Sequence, residues 1–157
     1  MTANIGISKE NTQKVADLLN RLLADESVLY VKTRNFHWNV TGKNFYGLHI
    51  LLEKHYQQLD EMADDTAERI RQLDHYAVAT MTQFLELTNL VEVNHGDLTA
   101  ATMIEALVND HETIIRTLRH DVIKDEACQD TGTADFATAL LEKHEKMAWM
   151  LRAHLEK

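Results

Sequence analysis

The sequence predicts an all-α protein: a four-helix bundle with a short helix in the long crossover between the second and third long helices. Apolar residues recur at helical spacing through four long segments, and strand-type alternation is nowhere sustained. The 157 residues include no proline and only five glycines, so little interrupts the helices. We expect one domain over residues 1–157, in which residues 1–8 form a short N-terminal tail.

The first two long helices are predicted at residues 8 to 36 and 45 to 73. The turn-forming residues Asn39, Gly42 and Asn44 separate them. A crossover follows, with a short helix near residues 81 to 87. A capping box of Thr102 and Glu105 opens the third long helix, which reaches about residue 124. The fourth long helix starts near residue 132.

Composition narrows the class of protein. The formal net charge of −9 argues against a broad cationic surface for nucleic acid. The single Cys128 cannot form an internal disulfide, which fits a reducing cytoplasm. No apolar run has the length of a signal peptide or a membrane span, so we expect a cytoplasmic protein without a membrane partner.

The second long helix carries two adjacent stripes. On a helical wheel, its core stripe covers an arc of about 100°, made by Leu48, Leu52, Tyr56, Leu59, Ala63, Ala67 and Ile70. Beside it lies a second arc with two i,i+4 pairs, His49 with Glu53 and Asp64 with Glu68. That spacing lets two side chains reach one metal ion.

The two pairs cannot meet within one chain. His49 and Asp64 are separated by about 22 Å along a helix, whereas metal–ligand bonds are about 2 Å. If two copies of the helix pack antiparallel about a twofold axis near Gln58 and Leu59, position 49 of one copy faces position 68 of the other. Each of two identical sites then takes His49 and Glu53 from one subunit and Asp64 and Glu68 from its mate.

Two alternatives remain open at this point. Acid pairs at this spacing are most often solvated surface, and Asp60 lies on the same arc without joining either pair. Mixed imidazole and carboxylate ligands suit iron, zinc or manganese, and the spacing does not separate iron from zinc.

The segment NFHWNVTGKNFYGLHILLEKHYQQLDEMADDTAERI, with TMTQFLEL and LLEKHEKMAWMLRAHLE further on, closely resembles the Dps family of small ferritin relatives. The matching motif is His37 with Trp38, a second histidine at His49, an acid four residues later, and an Asp and Glu in the D…AER pattern. The resemblance implies a ferritin-like bundle and covers nearly the whole chain.

The resemblance also implies a di-iron ferroxidase centre between subunits. His37 and His49 would come from one subunit, and Asp64 and Glu68 from its partner. Glu53 departs from the aspartate that many members carry and is expected to ligate as well. The resemblance further implies that hydrogen peroxide or dioxygen is the oxidant and that zinc is a possible substitute for iron. It also implies a shell of twelve subunits, built from twofold dimers, that stores Fe(III) and protects against oxidative damage.

Three residues outside this ligand set receive roles from the resemblance. Trp38 would donate an electron beside the centre, or else serve as an aromatic anchor at the junction. Asp130 and Asp135 would line an acidic pore for iron entry, or else act as helix N-terminal acids favoured by the macrodipole.

DNA binding is expected to be weak or absent. Family members that compact DNA generally use lysine-rich tails, and the stretch MTANIGISK of this sequence has the single Lys9. An architectural DNA-binding protein with secondary iron chemistry is the alternative. Among the other histidines, His55 is expected to be exposed or at the edge of the core, while His111, His144 and His154 are expected in the core or an interface.

Overall fold

The computed structural model describes residues 3–93, 98–122 and 130–155, and over this part of the chain it is all helical, without strands. These described residues contain, in order, five α-helices and one π-helix: α1 Lys9–Asn39, α2 Phe45–Gln72, α3 Met81–Leu87, α4 Ala100–Thr117, the π-helix Leu118–Val122 and α5 Thr131–Arg152. The predicted all-α, ferritin-like four-helix architecture is confirmed.

Helices α1 and α2 form an antiparallel pair. His37 near the end of α1 bonds with His49 near the start of α2, and Thr12 at the other end bonds with His75 just after α2. The turn between the helices is tight because Gly42 adopts a φ of 110°, which side chains disfavour. Helix α1 runs three residues beyond the predicted end at residue 36, and its C-cap Val40 donates to the carbonyl of Phe36.

Helix α5 runs back along α2, since Arg69 late in α2 bonds with Thr133 at the start of α5. Helix α4 is antiparallel to α5, because Glu112 pairs with Arg152 and Arg119 pairs with Glu145. The four long helices therefore run up, down, down and up, with α3 in the crossover.

The third long helix begins earlier than the sequence analysis predicted. Its N-cap is Thr99, whose hydroxyl accepts the backbone N–H of Thr102, so the predicted capping box of Thr102 and Glu105 is wrong. The two alanines at positions 100 and 101 are strong helix formers and extend the helix by nearly a turn. The predicted continuation beyond Val122, and Cys128, lie outside the described residues.

The core is built from the apolar stripes of the long helices. The largest almost fully buried side chains in the described part of the chain are Phe36, Leu19, Leu22, Leu29, Leu52, Leu59, Met62, Ile70, Leu73, Leu107, Ile114 and Leu118. Each such side chain contributes roughly 1.5–3 kcal/mol of hydrophobic free energy. The buried stripe of α2 is rotated slightly from the predicted core stripe. This is shown by His55, which is buried, and by Tyr56, which is only half-buried.

A buried carboxylate anchors the crossover to α1. Asp25 is fully buried and accepts hydrogen bonds from the hydroxyl of Thr88 and from the backbone and side-chain N–H groups of Asn89. These bonds satisfy a charge that would otherwise be costly inside the bundle. Over the described residues, no helix is both long enough and apolar enough to span a membrane.

Candidate metal centre

Two predicted histidine ligands meet where α1 passes into α2. His37 is buried, His49 is half-buried, and their rings are stacked with centroids 3.8 Å apart and planes 18° apart. The eleven residues between them include the turn at residues 40–44 that folds α2 back on α1. The sequence identified both residues, and the fold brings them together.

The two rings are held by reciprocal hydrogen bonds to backbone. Nδ1 of His37 lies 2.8 Å from the carbonyl oxygen of His49, and Nδ1 of His49 lies 2.9 Å from the carbonyl oxygen of His37. Because a carbonyl only accepts, both Nδ1 atoms carry the hydrogen. In the neutral rings the Nε2 atoms therefore keep their lone pairs, which is how metal-binding histidines are normally oriented.

Two aromatic rings flank this histidine pair. The Tyr56 ring meets the His37 ring edge-on at 5.2 Å, and the Phe45 ring lies 5.2 Å from the His49 ring. The sequence analysis assigned Tyr56 to the core stripe and gave Phe45 no role. Tyr56 lies seven residues after His49 and Phe45 lies four residues before it, so both are on the same side of α2 as His49. That spacing could have identified both rings as neighbours of the histidine pair.

The predicted acidic ligands lie along the rest of α2. Glu53 is half-buried, whereas Asp64 and Glu68 are exposed. Since α2 is continuous from Phe45 to Gln72, Asp64 stays about 22 Å along the axis from His49. Within the part of the chain that the structure describes, no three His, Cys, Asp or Glu side chains form a group able to hold a metal ion. One chain thus presents a histidine half (His37 and His49) and an acidic half (Asp64 and Glu68), and the two halves are well separated along α2.

Trp38 is not a packed anchor within the single chain, since 63% of its surface is exposed. The guanidinium of Arg34 lies 4.9 Å from the Trp38 ring centroid, and also near the rings of Tyr30 and Tyr56 at 5.3 and 5.6 Å. A cation at this distance is attracted to the ring face. The positive charge of Arg34 also makes removal of an electron from the ring more costly, which argues against the predicted role of Trp38 as an electron donor.

Asp130 has a structural role at the start of α5. It is the N-cap residue, and its carboxylate accepts bonds from the backbone N–H and the hydroxyl of Thr133 and from Nη2 of Arg69, which lies within hydrogen-bond distance of both carboxylate oxygens. Asp135 lies beyond the first turn of α5 and is exposed. Pore lining by either residue needs neighbouring subunits and stays a prediction, and residues 123–129 of that region lie outside the described chain.

We expect Asp130→Ala to lower the free energy of unfolding by about 1–2 kcal/mol, because the helix loses its cap. Burial alone would raise the pKa of Asp130, but hydrogen bonds from Thr133 and the Arg69 cation together lower it. The stabilisation is therefore present above the unfolded pKa of about 3.9 and is lost as the pH falls through the lower folded pKa. Urea denaturation at pH 7 and near pH 3, with exposed Asp135→Ala as the control, measures both effects. Equal stability of the Asp130→Ala and parent proteins at pH 7 would contradict this role.

Comparison with known proteins defines the class. A family model described as a ferritin-like domain matches residues 16–157. The chain is 48% identical to a low temperature-induced protein of Nostoc sp. (98% of this chain, 86% of the relative) and 42% identical to a DNA protection during starvation protein of Brevibacillus brevis (92% and 96%). The Dps structure from Vibrio cholerae, described as a member of a broad superfamily of ferritin-like diiron-carboxylate proteins, superposes with a TM-score of 0.91 at 30% identity, covering 99% of this chain and 97% of that one.

The bundle, its connectivity and the matched domain define a ferritin-like protein. Within that class, the chain belongs to the Dps family.

Proposed function

We propose that this protein oxidises Fe(II) at centres shared between two subunits and stores the Fe(III) inside a hollow shell, with hydrogen peroxide as the main oxidant. The observation that carries the proposal is the reciprocal locking of His37 and His49, which leaves both Nε2 atoms free to bind a metal ion. Iron is the substrate of this reaction.

The acidic half of each centre comes from a second copy of α2. Positions 49 and 68, like positions 53 and 64, are centred between residues 58 and 59, so one twofold axis pairs both sets. Large apolar side chains beside the histidine half are exposed in the single chain, namely Trp38, Phe45 and Tyr46. Exposed apolar groups of this size are typical of a surface that a partner covers.

The donor set fits iron oxidation. Imidazole nitrogens accommodate Fe(II), and the carboxylates of Glu53, Asp64 and Glu68 favour the harder Fe(III) product. Reduction of one hydrogen peroxide molecule to two waters takes two electrons and two protons, and two ferrous ions supply the electrons. Pairing the ions at one site therefore consumes peroxide without releasing a hydroxyl radical. The positive charge of Arg34 beside the Trp38 ring would oppose the loss of an electron from Trp38.

Subunit number and iron entry belong to the same proposal. The Dps fold supports a shell of twelve subunits built from twofold dimers, into which Asp130 and Asp135 would admit iron. Asp135, with its exposed carboxylate, suits a pore better than Asp130, whose carboxylate is engaged with Arg69 and Thr133. Zinc fits the same ligands and, lacking redox chemistry, should compete as an inhibitor.

The direct test is anaerobic addition of Fe(II) followed by hydrogen peroxide, with ferric absorbance recorded over time. We expect rapid oxidation at about two Fe(II) per peroxide, inhibition by prior Zn(II), and a soluble ferric product. Oxidation no faster than in buffer would reject the proposal and favour a helical oligomer with a solvated acidic face.

DNA compaction is the second candidate, and the name of the Brevibacillus brevis relative motivates testing it. Against it, twelve subunits at −9 each would carry about −108 formal charges, which repels a polyanion. We expect no retardation of plasmid DNA at submicromolar protein, neutral pH and low ionic strength. Retardation that disappears with added salt would show a local basic patch and overturn this prediction.

A further inference from the structure

Ionisable side chains from all four long helices meet in the interior of the bundle, away from the candidate metal centre. They are Glu26 of α1, His55 of α2, His111 of α4 and His144 of α5, and none is more than 3% exposed. The sequence analysis placed the last two in a core or interface but did not connect them with Glu26. A polar cluster of this kind in a dry core requires an explanation.

Three of these side chains form a chain of contacts. Nδ1 of His111 lies 2.9 Å from Nδ1 of His144, and Nε2 of His144 lies 3.6 Å from Oε1 of Glu26. The other carboxylate oxygen of Glu26 accepts the hydroxyl hydrogen of Thr66 at 2.9 Å. Among the described residues, Oε1 of Glu26 and the Nε2 atoms of both histidines have no hydrogen-bond partner.

The contact between the two histidines constrains their protons. A bond between two Nδ1 atoms needs a hydrogen on one atom and a lone pair on the other, so at least one ring must be neutral. If His144 carries both of its hydrogens, it donates Nδ1–H to His111 and presents Nε2–H to Glu26. The negative carboxylate and the imidazolium then cancel, which a low-dielectric core favours over an isolated buried carboxylate.

We propose that Glu26, His144 and His111 form a proton-operated lock in the centre of the bundle. While at least one of the two facing rings is neutral, the Nδ1–Nδ1 hydrogen bond holds, and the closed lock joins α4 and α5 beside Glu26 of α1. When both rings are protonated, two N–H groups face each other and the core carries net positive charge. The hydrogen bond between the histidines then breaks and the bundle loosens.

The surroundings of His111 favour this sequence of events. Burial first, and then the charges of His144 and His55, hold the pKa of His111 well below its ordinary value. From α2, the His55 ring faces His111 at 6.3 Å and Thr66 faces Glu26. The neighbouring charges Asp25 and Asp110 are engaged elsewhere, with the crossover and with Lys32. His111 therefore stays neutral in the folded protein while the unfolded chain takes up a proton below about pH 6.5.

The sign of the pH effect follows. Where the unfolded state binds more protons than the folded state, stability falls as the pH falls. One such histidine steepens the pH dependence of the unfolding constant by up to about tenfold per pH unit. The lock does not depend on the proposed iron chemistry, since none of its three members belongs to the candidate centre.

The test is chemical unfolding of the metal-free protein between pH 8 and pH 5 at fixed subunit concentration. We expect His111→Asn to reduce the pH slope of stability by close to one proton, and the exposed His120→Asn, in the adjoining π-helix, to leave it unchanged. An unchanged slope in His111→Asn overturns the proposal.

A second measurement covers the case in which His111→Asn does not fold. Nitrogen-15 spectra of histidine-labelled protein at pH 5.5 should show the buried ring of His111 still neutral in the folded state. A protonated His111 ring in the folded protein at this pH overturns the proposal. So does a rise in thermal midpoint with Zn(II) that Glu26→Gln abolishes, because a cation would then occupy the gap between Glu26 and His144.

Discussion

His49→Ala and Asp64→Asn are each expected to lower the initial rate of Fe(II) oxidation by about 100-fold, because loss of even an outer-sphere partner costs up to this much in metal affinity. His49 lies in the histidine half and Asp64 in the acidic half, about 22 Å away along α2. Equal losses from two such distant positions are expected only if both serve one shared site. Stopped-flow absorbance of the ferric product measures the rates.

Matched controls are available on the same protein. Asp60→Asn removes a carboxylate from the same arc of α2 at a position that reaches neither end, and His120→Ala removes an exposed histidine. Both controls should oxidise iron at the parental rate. If either of the first two variants does so as well, the residue changed is not a ligand.

Asp110→Ala is expected to destabilise the protein by about 3–5 kcal/mol, the usual cost of breaking a buried ion pair on one side. Asp110 of α4 pairs with Lys32 of α1, and the two side chains are only 14% and 5% exposed. Burial raises the pKa of Asp110 despite the hydrogen bond and charge of Lys32, which shows how costly this environment is for a charge. Alanine at position 110 leaves the Lys32 ammonium buried without that partner.

Guanidinium denaturation at matched subunit concentration measures this loss. Glu112→Ala, which breaks the more exposed pair with Arg152, serves as the control and should cost less than about 1 kcal/mol. Replacing both partners, as Lys32→Met with Asp110→Leu, should restore most of the lost stability. A small effect of Asp110→Ala, similar to that of Glu112→Ala, would contradict the buried pairing.

The sequence predicted the helices well because local chemistry determines them. The short helix at Met81–Leu87 has the predicted bounds, and its start carries a capping box of Thr80 and Gln83. The start of α4 was predicted wrongly because Thr99 and Thr102 are both capable caps. Nothing local indicates that the helix uses the earlier one.

The buried polar contacts could not be predicted. Lys32 and Asp110 are 78 residues apart, and each looks like an ordinary surface charge on its own helix. Glu26, His111 and His144 are similarly brought together only when three helices pack. By contrast, the sequence suggested His49 through its spacing to Glu53 and His37 through the resemblance to the Dps motif, whereas only the structure shows their reciprocal backbone bonds.

Mixing two inactive variants tests most directly whether each centre is divided between subunits. His49→Ala and Asp64→Asn subunits are unfolded, combined in equal amounts and refolded together. Half of the twofold pairs should be mixed, and each mixed pair regains one centre with both histidines from one subunit and both acids from the other. About one quarter of the parental oxidation activity should therefore return.

The control mixes His49→Ala with His37→Ala. Both of these variants damage the histidine half, so no combination of their subunits restores a centre. Recovery of about a quarter in the first mixture and none in the second is the result expected of a site shared between subunits. No recovery in the first mixture, from subunits shown to have exchanged, would mean that the histidines and acids do not act together.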